Sequence, residues 1–213
     1  MKYTHVIWDF NGTILDDLSV GMSAVNKMLT RRNMKQIESV EEYREKFGFP
    51  IKDYYRRCGF DFEKEDYESV LAPEWVEEYN RLEKSAPLCA NVEKTLKLFK
   101  KEGISQSILS ASKTDMLLSQ IKRLGIENYF DDIIGCDNFF AYGKSDLCVN
   151  YVRSHPEKFF VMIGDTTHDH DVASAAGIDC VLLTTGHMSR KTLSECGCAV
   201  YNDSYRFALD ILK

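Results

Sequence analysis

The spacing of apolar positions divides the chain into unlike stretches. Residues 3–10 read as a strand, because His5-Val6-Ile7-Trp8 is rich in β-branched and aromatic side chains. From 16 to 84 the apolar residues recur three or four apart, as at Val20, Ala24, Val25 and Met28, which predicts a run of helices. Gly48-Phe49-Pro50 and Cys58-Gly59-Phe60 punctuate that run. After Ala86-Pro87-Leu88 the pattern changes again. Strands are predicted over 104–110, 130–135, 159–164 and 178–184, with a weaker one over 199–201. Helices are predicted over 92–101, 115–124, 145–154 and 169–176, and 203–212 closes the chain as a helix. Gly103 and Gly177 stand where two of these helices should stop.

Strands that alternate with helices predict an α/β fold with a parallel sheet covered on both faces. Crossovers in such sheets are right-handed, which leaves few topologies. The helical run interrupts the alternation after the first strand. The expected architecture is therefore a Rossmann-like core over 1–15 and 86–213, with an α-helical cap inserted over 16–85. Ligands of these sheets sit beyond the carboxyl ends of the strands, so the residues at those ends carry the functional reading.

Composition narrows the classes. A chain of 213 residues has room for a core plus a small insert. Its 44% hydrophobic and 28% charged residues are ordinary for a globular protein. The net charge of −6 comes without a long basic run, which argues against a nucleic-acid partner. No apolar stretch approaches a membrane span, and the short apolar run in residues 1–10 already contains Asp9, unlike a secretory signal. The seven cysteines are odd in number, scattered and without paired metal-ligand spacing, so reduced thiols in the cytoplasm are expected.

Five chemistry-bearing residues fall at one predicted edge. Asp9-Phe10-Asn11-Gly12-Thr13 follows the first strand, Ser110 closes the second, and Lys144 follows Gly143 at a helix start. Val161-Met162-Ile163-Gly164 ends at Asp165, with Asp169 four residues on. Three carboxylates in one pocket repel one another unless a cation joins them. An all-oxygen ligand set suits magnesium. A serine and a lysine beside that metal can hold phosphoryl oxygens, and Gly12 lets the backbone approach and offer its N–H. Nucleophile, charge neutralisation and positioning together are what phosphoryl transfer needs.

These residues resemble the four motifs of the haloacid dehalogenase superfamily. Asp9-x-Asn11-Gly12-Thr13 is similar to the first, D-x-D-G-T; Ser110 and Lys144 look like the second and third. Gly164-Asp165-Thr166-Thr167-His168-Asp169 resembles the fourth, G-D-x-x-x-D. The resemblance covers essentially the whole chain and points to the phosphoglycolate-phosphatase-like branch, with its helical cap after the first motif. It implies that Asp9 attacks phosphorus and becomes an aspartyl phosphate. It also implies that Asp9, Asp165 and the backbone carbonyl of Asn11 bind Mg2+, that Asp169 supports the metal or orients Lys144, and that Ser110 and Lys144 hold the phosphoryl group. The expected partner is a small phosphorylated molecule, with the protein a monomer or homodimer.

Asn11 departs from the family pattern. Phosphatases of the family carry an aspartate there, which protonates the leaving alkoxide and then activates water. An amide cannot exchange a proton near pH 7, and such general acid–base help is worth typically ~10²–10⁴-fold. Three readings stay open: another proton carrier, substrates with good leaving groups such as acyl phosphates, or a protein that binds a phosphorylated ligand with little turnover. If the missing proton limits catalysis, Asn11→Asp is expected to raise hydrolysis of alkyl esters much more than that of acyl phosphates; if another carrier such as His168 has taken over, the expected gain is small. Dehalogenase or phosphonatase chemistry fits less well, since both Asp165 and Asp169 are kept.

Other candidates have plainer readings. Asp16 and Asp17 start a helix, Tyr54 and Tyr55 belong to the helical core, and Gly186 and His187 lie in a loop. His168 and His170 lack cysteine partners for zinc. Of Arg44, Arg56 and Arg57, one could meet an anionic end of the substrate.

Overall fold

A computed structural model describes residues 2–136 and 143–213. Six parallel strands form one sheet in the order β3-β2-β1-β4-β5-β6. They are β1 (His5–Trp8), β2 (Ser105–Lys113), β3 (Asp132–Cys136), β4 (Phe160–Gly164), β5 (Asp179–Leu183) and β6 (Ala199–Tyr201). The central strands β1 and β4 are buried along their whole length, which is why they read as continuous apolar runs. His5 is the polar exception in β1. It is fully buried, and its two ring nitrogens lie 2.6 and 2.8 Å from the hydroxyls of Ser105 and Ser107.

Helices α5 (Val92–Lys101), α6 (Thr114–Leu124), α7 (Lys144–Arg153), α8 (Thr167–Ala176) and α10 (Ser204–Ile211) flank the sheet. Each buries one stripe; α5, for example, buries Val92, Thr95, Leu96 and Phe99. The expected Rossmann-like parallel sheet is present. Two local differences have simple causes. The strand expected to stop at Ser110 continues to Lys113, because a register irregularity between Leu109 and Lys113 bends it without ending it. A short helix, α9 (Arg190–Ser194), was not expected, since five residues are too few to show a helical period.

Between β1 and α5 the chain forms α1 (Leu18–Arg31), α2 (Val40–Lys46), α3 (Ile51–Cys58), a π-helical turn (Tyr67–Leu71) and α4 (Ala72–Leu82). These helices bury their own cluster, which includes Val25, Met28, Leu29, Tyr43, Tyr55 and Leu71. The sheet's larger cluster is separate, and Trp75 packs against both. The segment leaves and rejoins the core at one place: Leu15 bridges Leu88, Asp16 N–H donates to the Pro87 carbonyl at 2.9 Å, and Cys89 N–H donates to that of Ile14 at 2.8 Å. No described helix is long and apolar enough to cross a membrane. None of the seven cysteines is in a disulfide.

Candidate active site

Parallel pairing brings the ends of β1 and β4 side by side. Asp9 N–H donates to the Ile163 carbonyl at 2.8 Å, so Asp9 and Asp165 emerge together at the carboxyl edge. The first turn of α8 adds Asp169, and the first residue of α7 adds Lys144. One carboxylate oxygen from each of Asp9, Asp165 and Asp169 lies within 4.8 Å of the others. All four side chains are buried. The Lys144 ammonium bridges Asp9 at 2.5 Å and Asp169 at 2.7 Å.

The electrostatics follow from this crowding. Burial, then the Asp169 carboxylate, pushes the Asp9 carboxyl up to about 8, with Lys144 opposing. Burial raises Asp165 to about 6, with His187 opposing and Asp169 adding. Burial would lift Asp169 as well, but Lys144 and the Thr166 hydroxyl outweigh it and hold it below the usual carboxylate range. Lys144 is held protonated by Asp169 and Asp9 despite burial. One ammonium does not neutralise three buried carboxylates, and the donor set is all oxygen. Those are the conditions a magnesium ion fits.

The three acids are not equivalent. Asp169 Oδ1 takes Lys144, and Oδ2 accepts the Thr166 hydroxyl at 2.7 Å, Thr166 N–H at 3.1 Å and Asp165 N–H at 3.2 Å. It completes a capping box with Thr166 that starts α8, so its oxygens are occupied. Asp165 accepts one bond on each oxygen, from the Thr13 hydroxyl at 3.1 Å and His187 N–H at 2.7 Å. Asp9 and Asp165 therefore keep more lone pairs for a cation than Asp169 does.

A second buried cluster surrounds Asn11. Its Nδ2 donates to Asp17 Oδ2 and to the Tyr79 hydroxyl, both at 2.8 Å, while the Ser112 hydroxyl donates to its Oδ1 at 2.8 Å. Tyr79 also donates to Asp17 at 2.6 Å, and Asp17 Oδ1 accepts Gly12 N–H at 2.8 Å and faces His187 Nε2 at 3.2 Å. The other ring nitrogen of His187 lies 2.9 Å from the Tyr43 hydroxyl. Burial would raise Asp17, but His187 and its hydrogen bonds lower it, so it is an ionised acceptor. That fixes the Asn11 amide with nitrogen toward Asp17.

Gly12 has φ +72°, and a Cβ there would lie 2.4 Å from Asp165 Oδ2, so only glycine fits beside this carboxylate. Its N–H was expected to face a phosphoryl group. Instead it donates to Asp17 and, at 2.9 Å, to the Leu15 carbonyl, which corrects that donor assignment.

Asp9, Asn11, Ser110, Lys144, Asp165 and Asp169 all line one cavity of about 220 Å³, which is small-molecule scale. Ser110 is buried there, and its hydroxyl accepts Ser112 N–H at 3.0 Å. The opposite wall comes from the helical segment and is aromatic: Phe47, Phe49, Tyr54, Tyr55, Trp75 and Tyr79. Sequence reasoning left Asp17 as a helix start and His187 as a loop residue, and it did not single out Tyr79 or Ser112. The doubled acid at 16 and 17 was the only trace. Arg44 donates to the backbone carbonyls of Gly186 at 2.9 Å and Thr184 at 3.1 Å, tying the helical segment to the core. Arg56 pairs with Asp53, and Arg57 donates to the Lys46 carbonyl.

Comparison with known proteins gives the family. The profile of the family described as haloacid dehalogenase-like hydrolase matches residues 6–183, and the chain belongs to that family. A phosphoglycolate phosphatase of Pseudomonas fluorescens is 26% identical over 198 residues, covering 89% of this chain and 72% of the relative. One from Aquifex aeolicus is 23% identical over 189 residues, covering 86% and 85%. The solved structure of a haloacid dehalogenase-like hydrolase from Streptococcus pneumoniae superposes with a TM-score of 0.80 at 19% identity, covering 100% and 99%. That likeness concerns the fold.

Proposed function

We propose that the chain is a magnesium-dependent phosphatase of a small phosphorylated molecule, working through an aspartyl phosphate on Asp9. The observation that carries this reading is the buried set of Asp9, Asp165, Asp169 and Lys144 at the carboxyl edge of the sheet. Asp9, Asp165 and the backbone carbonyl of Asn11 would hold the metal, with Asp169 anchoring Lys144. When bound, magnesium supplies charge neutralisation for the transferring phosphoryl group.

Lys144 favours the ionised form of Asp9, which is the form that attacks, and a bound cation would favour it further against burial and Asp169. Asp9 forms a bond to phosphorus as the bond to the leaving oxygen breaks, and Lys144 and Ser110 hold the phosphoryl oxygens in line. The acyl phosphate is itself reactive, and water then releases inorganic phosphate and returns Asp9. The segment over 16–85 acts as the cap: its aromatic wall closes the cavity over the acids and excludes bulk water.

Phosphate release from acetyl phosphate tests the proposal. It should require magnesium, disappear with EDTA, and disappear in Asp9→Asn. Magnesium-independent release, or full activity in Asp9→Asn, overturns it. A second reading, a binder of phosphorylated ligands with little turnover, is favoured by one observation: the Asn11 amide is saturated by Asp17, Tyr79 and Ser112. Tight phosphate binding without any release would select it.

A further inference from the structure

The proton carriers nearest Asn11 and Asp9 are already committed. Asn11 spends both amide hydrogens on Asp17 and Tyr79. Asp17 accepts four partners: Asn11, Tyr79, Gly12 and His187. His187 has a partner on each ring nitrogen, and Lys144 bridges two carboxylates. Among the described residues, two buried cavity-lining polar atoms remain without a partner: Nε2 of His168, whose ring stacks on Phe49 at 4.6 Å between centroids, and the hydroxyl of Tyr54. These two can offer a leaving oxygen a hydrogen bond, but neither is a carboxylic acid positioned to protonate it, and burial raises the Tyr54 phenol well above its ordinary value.

The wall facing the acids is equally informative. Phe47, Phe49, Trp75 and Tyr79 present ring surface. The hydroxyls of Tyr43 and Tyr79 are turned into the Asp17 cluster and tied there. None of the arginines Arg44, Arg56 and Arg57 lines the cavity, and each is bonded elsewhere. Beyond Lys144, Lys113 is the one lysine on the lining among the described residues. A substrate with a second anionic group would meet mostly carboxylates and rings. A planar apolar group would meet ring faces, against which offset or edge-on packing is favourable.

Resting on the phosphatase reading above, we propose that the substrate is a phosphate monoester of an aromatic hydroxyl, its ring seated on the wall formed by Phe49, Trp75 and Tyr79. Both observations converge on that class. An aromatic hydroxyl has a pKa of about 10, as in tyrosine, against about 16 for a water-like hydroxyl, so its anion departs without a full proton transfer. In the first step the bond from Asp9 Oδ to phosphorus forms and the P–O(aryl) bond breaks. The aryloxide leaves with the electron pair and takes a proton from solvent. Water then attacks phosphorus, the bond to Asp9 breaks, and inorganic phosphate departs.

Steady-state kinetics of the full chain with magnesium on four compounds separates leaving-group quality from ring recognition. Phenyl phosphate has both the ring and the good leaving group. Benzyl phosphate has the ring with an alkoxide leaving group, acetyl phosphate has a good leaving group and no ring, and 2-phosphoglycolate has neither. The expected kcat for phenyl and acetyl phosphate exceeds that for the other two by about 10²-fold or more, the worth of the missing general acid. The expected KM for phenyl and benzyl phosphate is about tenfold below that for the ringless pair. Trp75→Ala and, separately, Phe49→Ala should raise KM for phenyl phosphate more than for acetyl phosphate. Equal KM values for compounds with and without a ring overturn the inference, as does 2-phosphoglycolate as the best substrate. Asp9-dependent hydrolysis of acetyl phosphate without ring preference removes the aromatic substrate and leaves the phosphatase standing. No turnover of any compound removes both.

Discussion

The two walls of the cavity are built from opposite chemistry. The floor, at the carboxyl edge of β1 and β4, holds Asp9, Asp165, Asp169 and Lys144 within one hydrogen-bonded set. The roof, from the helical segment, offers rings, with Phe47 stacked on His187 at 4.9 Å and Phe49 on His168 at 4.6 Å. The floor belongs to a rigid sheet, whose register fixes which residues emerge together. The roof belongs to a separate hydrophobic cluster, joined to the core by the neck at Leu15 and Leu88 and by the Arg44 bonds. The charges that must be placed to within a hydrogen bond sit just past the ends of β1 and β4 and at the starts of α7 and α8. The ring-bearing wall sits on helices with a hydrophobic cluster of their own.

The sharpest way to break this division is to disable one wall. Asp9→Asn removes the proposed nucleophile of the floor and should reduce turnover by at least ~10³-fold, the scale seen when a covalent nucleophile is removed. Ring binding on the roof should persist, read as calorimetric binding of phenylphosphonate that is still weakened by Trp75→Ala in the Asp9→Asn background. Loss of both together would mean that the walls do not act separately.

A smaller effect is expected where the walls meet. An aspartate at 11 would face the Asp17 carboxylate across the 2.8 Å now spanned by an amide hydrogen bond. Like charges at that distance cannot both ionise easily, so Asn11→Asp alone is expected to gain little on alkyl phosphates. This revises the expectation drawn from sequence. The double variant Asn11→Asp/Asp17→Asn moves the carboxylate back while keeping an amide opposite it. It should raise kcat on benzyl phosphate by about 10²-fold over wild type. A gain in the single variant as large as in the double would show that Asp17 does not restrain position 11.

The two walls were also unequally legible. Each floor residue carried a local sign: an apolar strand, then an acid, then glycine or a helix start. Asp9, Asp165, Asp169, Ser110 and Lys144 line one cavity for that reason. The roof carried no such sign, because rings at helical spacing look alike whether they face a core or a cavity. Tyr54 and Tyr55 read as core, and they are buried in the helical cluster while also lining the cavity. Asp17 and His187 are 170 residues apart, and neither position hints at the other. The sheet was readable because buried parallel strands are apolar throughout. The extension of β2 past Ser110 was not, since its polar tail is held by pairing with β3.

The smallest expected effect concerns the seam that joins the walls, Asp17–His187–Tyr43. Burial alone would lower the His187 pKa, but the Asp17 carboxylate, with Asp165 and Asp9 adding, lifts it to about 9 from an unfolded value of 6.5. A raised folded pKa means that the native state holds the proton more tightly. The stabilisation is complete below about 6.5 and is lost as pH rises toward 9. Asp9, raised to about 8, has the same sign, since its native carboxyl also holds a proton the unfolded chain has released. A cation on Asp9 and Asp165 removes that second contribution and leaves the Asp17–His187 pair. Urea denaturation with saturating magnesium should therefore show stability falling between pH 6.5 and 9, and falling more steeply without magnesium. Asp17→Asn should flatten the slope measured with magnesium, because the partner that holds the proton on His187 is gone. A slope unchanged in Asp17→Asn would show that the seam is held by ring packing of Phe47 and Tyr43 on His187 rather than by charge.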